Sequence, residues 1–411
     1  MPQIGSDVIV IGAGPAGTSA AALVRRAGFT VTVIEKERFP RFVIGESLLP
    51  RCMDLLRQAG LLDALKARGY IEKTGAVFLD DGRRADFNFA DQFTGGWKYT
   101  WQVPRDDFDQ TLAAAVEQMG VRICWGHTVT DADCTPNACT VTAADPDGQP
   151  VSFSARFVLD ASGYGRVLPR LLDLDRPSDL PRRDAVFAHF TGDHRPEGKE
   201  AGKIWICMLP ENAWLWIIPF SNGKTSVGVV AEPPFIDGLG DNLDDGLSAA
   251  IARSGPGAER LADRRQAFGA LRIDGYSIGV RRLHGDGFAL TGNATEFLDP
   301  VFSSGVTLAL ESANRAAGVL IRQLSGETVD WEADYAAYMS HGIDVFRTYV
   351  TAWYDGRLPA IFFSSRPSPD IVRQICSVLA GYVWDMDNPY VARHAEAVDK
   401  LARLCRMHAT K

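Results

Sequence analysis

Six residues, Gly12-Ala13-Gly14-Pro15-Ala16-Gly17, constrain what this chain can fold into more than any other part of it. They follow the apolar run Val8-Ile9-Val10-Ile11 and lead into Thr18-Ser19-Ala20-Ala21-Ala22-Leu23, so a buried strand, a tight turn and a helix succeed one another without a gap. Gly12 permits the turn, Gly14 lets the backbone approach a pyrophosphate, and Gly17 lets the helix pack on the strand. The first helical turn then offers unpaired N–H groups to phosphate oxygens. A second strand, Val31-Thr32-Val33-Ile34, ends in Glu35, about twenty residues on, where an acid holds a ribose diol. Strand, helix and acid at these distances make the glycines a dinucleotide site rather than a chance turn.

No second fingerprint of this kind occurs, so a separate Rossmann unit for a nicotinamide is not expected. Downstream, Arg105-Asp106-Asp107-Phe108-Asp109 opens an amphipathic helix, and Val158-Leu159-Asp160-Ala161-Ser162-Gly163 reads as a strand ending in a small-residue turn. Taken alone, Arg105 is as well explained by a solvated helix start. Trp214-Leu215-Trp216-Ile217-Ile218-Pro219 taken alone is sheet core, because alternating aromatics on an apolar strand are most often that.

A chain of 411 residues exceeds one typical domain. The expected organisation is interleaved: 1–70, 103–185 and 275–330 form the nucleotide-binding domain, 71–102 and 186–274 a substrate-side sheet, and 331–411 a helical segment. In the last, Tyr335, Tyr338, Met339, Ile343, Phe346, Tyr349 and Val350 recur at steps of three and four. The turn-rich segments 131–149 and 232–245 read as loops. A net charge of −8 argues against nucleic acid, although Arg182-Arg183, Arg264-Arg265 and Arg281-Arg282 could dock an acidic protein. Seven cysteines, Cys52, Cys124, Cys134, Cys139, Cys207, Cys376 and Cys405, show no metal-type spacing, and an odd number cannot all pair. No signal core and no apolar run of membrane-spanning length is visible, so a cytoplasmic protein with no membrane span and no metal site is expected.

The segments around Arg105 and Asp160 resemble those of flavoprotein monooxygenases, where the arginine reaches FAD and the Asp-Ala-Ser-Gly turn lies beside it. Over nearly its whole length the chain resembles the flavin-dependent halogenases of that superfamily. Five segments carry the resemblance: Gly12–Gly17, Trp214–Pro219, Gly45-Glu46-Ser47 with Pro50, Lys73-Thr74-Gly75-Ala76, and Phe297-Leu298-Asp299-Pro300-Val301-Phe302-Ser303-Ser304-Gly305-Val306. The fold implied is α/β, aromatic hydroxylase-like: a Rossmann-like FAD-binding domain interleaved with a substrate-covering mixed β-sheet domain, plus C-terminal helices. The resemblance places Gly12, Ala13, Gly14, Pro15, Ala16, Gly17, Glu35, Lys36, Arg41, Gly45, Ser47, Arg105, Val129, Asp160, Asn293, Pro300, Gly305 and Val306 at the FAD. It implies that FADH2, delivered by a separate flavin reductase, reacts with O2 and chloride or bromide to give hypohalous acid.

Lys73 would then hydrogen-bond this acid or form a haloamine, since an ammonium donates and an amine in an apolar wall becomes nucleophilic. A lone lysine is most often a solvated charge. Here Ile71-Glu72-Lys73 enters an apparent strand, Thr74 to Phe78, in the matching context. Ser304 and Gly305 are the implied halide seat, where backbone N–H groups open the helix from Val306. An N-cap serine is compatible with that role. Trp214 and Trp216 would stand between flavin and substrate, where rigid rings suit a barrier.

Two departures from the family pattern bear on substrate. Many members have Gly-Asp at Gly292-Asn293, which removes a charge here but keeps a hydrogen-bonding side chain. Halogenases of free tryptophan have a glutamate in the place of Phe302, which moves the expectation to phenols or pyrroles. The short C-terminal region suits an aromatic carried on an acyl or peptidyl carrier protein, an acidic partner that the arginine pairs would meet. The competing readings are a reductase or dehydrogenase resembling geranylgeranyl reductases, in which Lys73 is idle, and an aromatic hydroxylase. A non-enzymatic flavin module would have no use for Lys73 paired with the halide turn.

Overall fold

The computed structural model describes residues 3–365 and 368–409. Val8–Ile11 is buried at every position and pairs in parallel with Val31–Glu35 on one side and Phe157–Asp160 on the other. Strands buried on both faces carry no polar alternation, which is why these read as continuous apolar runs. Arg122–Trp125 extends the sheet beyond Val31–Glu35, and Phe288–Leu290 with antiparallel His284–Gly285 closes the other edge. Helix Pro15–Arg26 crosses over between the first two strands and packs on the 21-residue helix Ser304–Leu324, with Ser19 Oγ donating to Asn314 Oδ1 at 2.6 Å. The crossover is tight enough that a Cβ on Gly17 would lie 1.9 Å from the Gly12 carbonyl oxygen, and Gly12 itself has φ of +100°.

A second sheet runs in the order Arg265–Gln266, Asp184–Thr191, Thr225–Ala231, Trp214–Pro219, Ile204–Met208, Gly75–Asp80, Arg83–Asn88. All its pairings are antiparallel except that of Ile204–Met208 with Gly75–Asp80. Leu215 and Ile217 point to one face, where Leu247, Ala250 and Ile251 of helix Leu243–Ala252 cover them. Trp214, Trp216 and Ile218 point to the other, into a core shared with Val8, Val33 and the long helix. The tryptophan strand is therefore sheet core on one side and faces the nucleotide-binding unit on the other. Trp216 stands opposite Gly228, and a Cβ there would meet the indole ring at 2.3 Å and Phe187 at 2.6 Å.

Two segments expected as loops are regular. Thr128–Thr135 and Ala138–Ala144 form an antiparallel hairpin that joins Pro150–Ala155 and Gln3–Gly5 in a four-stranded sheet. Its buried face is made of small residues, Cys139, Val141 and Ala143 against Phe153, and these alternate with Thr and Ala so that the apolar period is faint in the sequence. In 232–245, Pro233–Asp237 is a short helix, and Asn242 caps Leu243–Ala252 by accepting from the N–H groups of Asp244 and Asp245.

The C-terminal segment is helical as expected, from a π-turn at Glu332–Ala336 through Ala337–Tyr354, Arg357–Phe362 and Pro369–Leu379 to His394–Ala409. Tyr335, Met339, Ile343, Phe346, Tyr349 and Val350 form its buried stripe, and Tyr338 stacks on Trp384 with ring centres 5.2 Å apart. From its sequence the segment 360–369 could close the site, and within it Arg366 and Pro367 lie outside the described residues. Among the described residues no helix is long and apolar enough to cross a membrane.

Gly228→Ala will lower stability by about 1–3 kcal/mol in urea unfolding, the usual cost of overpacking, and will change the near-ultraviolet circular dichroism of the displaced indole. Gly17→Ala will open the first turn and abolish flavin retention, measured by absorbance after gel filtration. An alanine variant that keeps its flavin would contradict the close approach.

Candidate functional site

A cavity of about 290 Å³ opens at the carboxyl ends of the parallel strands. Glu35 lies at one end, its Oε2 accepting from the Ala13 N–H at 2.7 Å and its Oε1 from the Glu37 N–H at 2.9 Å. Gly12, Gly14, Pro15 and Ala16 form the floor, and the Arg41 guanidinium stands 3.7 Å from where a Cβ on Gly14 would be. A cation above a helix start is a seat for pyrophosphate. Buried Asp109 holds the two arginines of this wall: Arg105 engages it in two parallel bonds of 2.8 and 3.0 Å, and Arg41 approaches it at 3.4 Å. Arg105 also donates to the carbonyls of Ile44 and Gly45. Lys36, Gly45, Asn293, Pro300, Gly305 and Val306 complete the expected lining, so a glycine-floored, cation-walled trough with an acid at its far end fits a flavin dinucleotide.

Five expected residues stand elsewhere, Ser47 among them in the smaller cavity described below. Asp160 is fully buried behind the cavity and accepts from the Ser162 and Leu168 N–H groups, holding the Ala161-Ser162-Gly163 turn that does line it. Burial raises its carboxyl above the usual range. Val129 packs on the four-stranded sheet, and neither it nor Ala13 or Gly17 is among the lining residues. Ala13 meets Glu35 through its N–H, and Gly17 acts through the turn.

A smaller, mostly apolar cavity of about 70 Å³ adjoins the first. Ile44, Gly45, Phe297, Pro300, Gly305 and Val306 line both, and Trp214, Trp216, Ser47 and Ser303 line only the second. Trp214 and Trp216 have ring centres 6.0 Å apart and are held separately. Trp216 donates to Ser226 Oγ within the sheet at 3.0 Å, whereas Trp214 donates to the Tyr354 hydroxyl of the C-terminal helices at 2.8 Å. The turn Pro300–Phe302 ends at Ser303, which has φ of +56° and starts helix Ser304–Leu324. Ser304 and Gly305 are the first residues of that helix, where N–H groups have no partner four residues back. Gly305 faces both cavities, Ser303 rather than Ser304 faces the smaller one, and the Ser304 side chain is buried.

Lys73 ends the short strand Ile71–Lys73, and the next strand begins at Gly75. It is 1 % exposed and donates to Ser47 Oγ and the Leu48 carbonyl at 2.8 Å each, with Ser303 Oγ at 3.5 Å. Among the described residues no carboxylate bonds it, and burial pushes its amine down to about 7. Close by, the buried Cys52 thiol contacts Thr307 Oγ1 at 3.2 Å and is raised above its usual range by burial. On the side of Phe302, the rings of Phe78, Tyr349 and Trp353 pack around it at 6.1–6.5 Å between centres.

Three groups that sequence patterns did not single out belong to the site. Asp299 accepts from Tyr276 and Tyr354 hydroxyls and the Val301 N–H, all at 2.9 Å, and burial raises its carboxyl to about 6. Glu46, inside the quoted Gly45-Glu46-Ser47, meets His189 at 2.6 Å. Its one available signal was a histidine alternating with Phe187 on an apolar strand. The third is Ser303, overlooked in favour of its neighbour.

The arginine pairs are largely engaged. Arg183 is buried with its guanidinium 3.4 Å from the centre of the Tyr354 ring, Arg182 bonds Asp184, and Arg281 faces Asp173. All seven cysteines are free thiols.

Comparison with known proteins agrees with this geometry. The chain is 32% identical to the flavin-dependent halogenase armH3 of Armillaria mellea, over 80% of this chain and 70% of that one. It is 28% identical to the 1H-pyrrole-2-carbonyl-[peptidyl-carrier protein] chlorinase of Pseudomonas fluorescens, over 97% and 92%. A solved structure from Cytophaga hutchinsonii, described as a flavoprotein/dehydrogenase, superposes with a TM-score of 0.96 at 49% identity, covering 98% of this chain and 100% of that one. The family model described as FAD binding domain matches residues 5–341, and the chain belongs to that family, in the superfamily of the flavin-dependent halogenases.

Proposed function

We propose that this enzyme halogenates an electron-rich aromatic, a phenol or a pyrrole, and that a carrier protein presents the ring. The observation that carries the reading is Lys73: a buried amine without a carboxylate partner, joined through Ser47 and Ser303 to the cavity that leads from the flavin trough past two tryptophans. Reduced FAD, bound in the trough, supplies the chemistry by which O2 and chloride or bromide become hypohalous acid.

The chain's own residues divide the remaining work. Glu35, the start of helix Pro15–Arg26, Arg41 and Arg105 hold the dinucleotide. Ser304 and Gly305 offer backbone N–H groups to the halide. Trp214 and Trp216, bulky rings in the wall of the smaller cavity, keep the aromatic away from the flavin. Lys73 receives the hypohalous acid as a neutral amine and passes on the halogen. Phe302 and its neighbouring rings put no carboxylate beside the substrate, which suits a ring already activated by its own oxygen or nitrogen. The absence of a second nucleotide fingerprint supports a separate flavin reductase as the source of FADH2. The pyrrolyl-carrier chlorinase supports a tethered substrate.

A second reading is favoured by the structure described as a dehydrogenase: a flavin-dependent reductase or dehydrogenase in which Lys73 has no task. The two separate in one assay. With FADH2 from an added reductase, bromide or chloride, and phenol, pyrrole or a carrier-linked aromatic, mass spectrometry will find the halogenated ring. Lys73→Ala will lower that product about 100-fold or more while flavin oxidation continues. Product unaffected by the substitution, or oxygen insertion without halide, would overturn the proposal.

The amine also fixes the sign of the pH dependence. A lysine held at about 7 gains its neutral form as the pH rises through that value. Halogenation at saturating halide will therefore rise between about pH 6 and pH 8, one unit either side of the ionisation. A rate that falls across that window would assign Lys73 the ammonium role of hydrogen-bond donor instead.

A further inference from the structure

The hairpin of Thr128–Thr135 and Ala138–Ala144 turns through Pro136 and Asn137, and Asn137 has φ of +65°. A two-residue turn fixes the alternation of the ladder beyond it. Thr135 and Ala138 form the hydrogen-bonded pair that closes the hairpin, so the next pair, Cys134 opposite Cys139, is of the non-hydrogen-bonded kind. Backbones approach most closely at such a pair, with Cα atoms about 4.5 Å apart, and both side chains leave the sheet on the same face. A disulfide needs Cα atoms about 4.4–6.8 Å apart, so the register alone sets these two cysteines within bonding range.

The sulfurs are in contact, the Cys134 thiol hydrogen-bonding to that of Cys139. The pair therefore ionises more readily than burial and the neighbouring Asp133 alone would allow, because the sulfur that loses its proton accepts from the other. Cys139 also donates to the Gly287 carbonyl at 3.2 Å. That carbonyl accepts from the Val158 N–H at 2.8 Å as well, so it keeps a partner when Cys139 gives up its hydrogen. Cys139 alone reads as small apolar filler beside Val141 and Ala143. Cys134 does not: it is half-buried, next to the exposed turn 135–138, and gives solvent a way to the pair. The other five cysteines stand on five separate elements, Pro50–Ala59, Arg122–Trp125, Ile204–Met208, Pro369–Leu379 and His394–Ala409. Neither Cys134 nor Cys139 lines the flavin trough or the smaller cavity.

We infer that Cys134 and Cys139 are a modification site, a dithiol that hydrogen peroxide converts to a reversible disulfide. Hydrogen peroxide is what O2 becomes when a reduced flavin gives it two electrons and no oxygen is transferred onward. The Cys134 sulfur forms a bond to one peroxide oxygen as the O–O bond breaks, and the other oxygen leaves as water with the thiol proton. The Cys139 sulfur then attacks the resulting sulfenic acid: the S–S bond forms, the S–O bond breaks, and a second water carries off the Cys139 proton. Two thiols and one peroxide thus give one disulfide and two waters. The bond closes a loop of only six residues, 134–139, and loop-closure stabilisation grows with loop length, so it holds oxidising equivalents rather than stapling the fold. Low-molecular-weight thiols reverse it by exchange. The inference does not depend on the halogen chemistry proposed above.

The test treats the flavin-loaded protein with hydrogen peroxide, alkylates it with iodoacetamide in urea, cuts it with trypsin and weighs the peptides. Peptide 123–156 carries Cys124, Cys134 and Cys139 with no lysine or arginine before its last residue. From untreated protein it will bear three alkyl groups. After peroxide it will bear one, on Cys124, and will lack two hydrogens, and dithiothreitol before alkylation will restore all three. In Cys139→Ala, Cys134 will stop at the sulfenic acid and take up dimedone. Three alkyl groups on the peroxide-treated wild type, or Cys134 carried on to sulfinic acid while Cys139 stays a thiol, overturns the site. A bond from either cysteine to Cys124 overturns the pairing, and a Cys139→Ala protein that takes up no dimedone overturns Cys134 as the sulfur that meets the peroxide.

Discussion

Asp299 is a buried carboxylate that accepts three hydrogen bonds, and three parts of the molecule hang from it. The bond from Val301 N–H sets the turn that places Ser303 and Gly305. The bond from Tyr276 fixes the strand connection beside Phe297. The bond from Tyr354 reaches the C-terminal helices and, through Tyr354, the indole of Trp214. Burial outweighs the three donors and the nearby Arg183, which oppose it, and leaves this carboxyl raised to about 6. Replacing it with an apolar group would leave two buried hydroxyls and an N–H without acceptors, which is the costly way to break such a network.

Around this anchor the site separates two environments at close range. The flavin trough is polar and cationic at its rim, with Lys36, Arg41 and Arg105, as a pyrophosphate requires. The neighbouring cavity is apolar, and there the same low polarity that walls out water also deprives Lys73 of the solvation an ammonium needs. Ser47, Leu48 and Ser303 offer it only neutral oxygens. One short segment, Gly45 to Leu48, touches both environments: its carbonyl at Gly45 takes a bond from Arg105, and its Ser47 hydroxyl takes one from Lys73.

The glycine turn, its helix and Glu35 are legible in the sequence because they are local: each constraint acts across a few bonds and leaves a fixed spacing. The helical tail is legible for the same reason, through its stripe from Tyr335 to Val350. The hairpin 128–144 is not, because its buried face is built of cysteine, alanine and valine and the outward residues are threonine and aspartate, a contrast too weak to show a period. The pairs Asp299–Tyr354 and Glu46–His189 are invisible for another reason. Their members are 55 and 143 residues apart, and only the packing of the sheet, the long helix and the C-terminal helices brings them together. Asp160 illustrates the opposite case, a residue whose motif is plain while its position behind the cavity follows from the turn it supports.

Cys52 bears on how long such a catalyst lasts. Its thiol lies by Thr307 and close enough to Lys73 to influence that amine, in the neighbourhood that an electrophilic halogen would visit. Thiolates consume such oxidants readily, and burial keeps Cys52 in the protonated, sluggish form. The apolar surroundings that lower the Lys73 amine also hold the Cys52 thiol protonated, so under the proposed reaction the same wall would favour Lys73 over the thiol as the group that meets the oxidant. Durability in turnover, and not only rate, is then a property of how dry this corner of the molecule is kept.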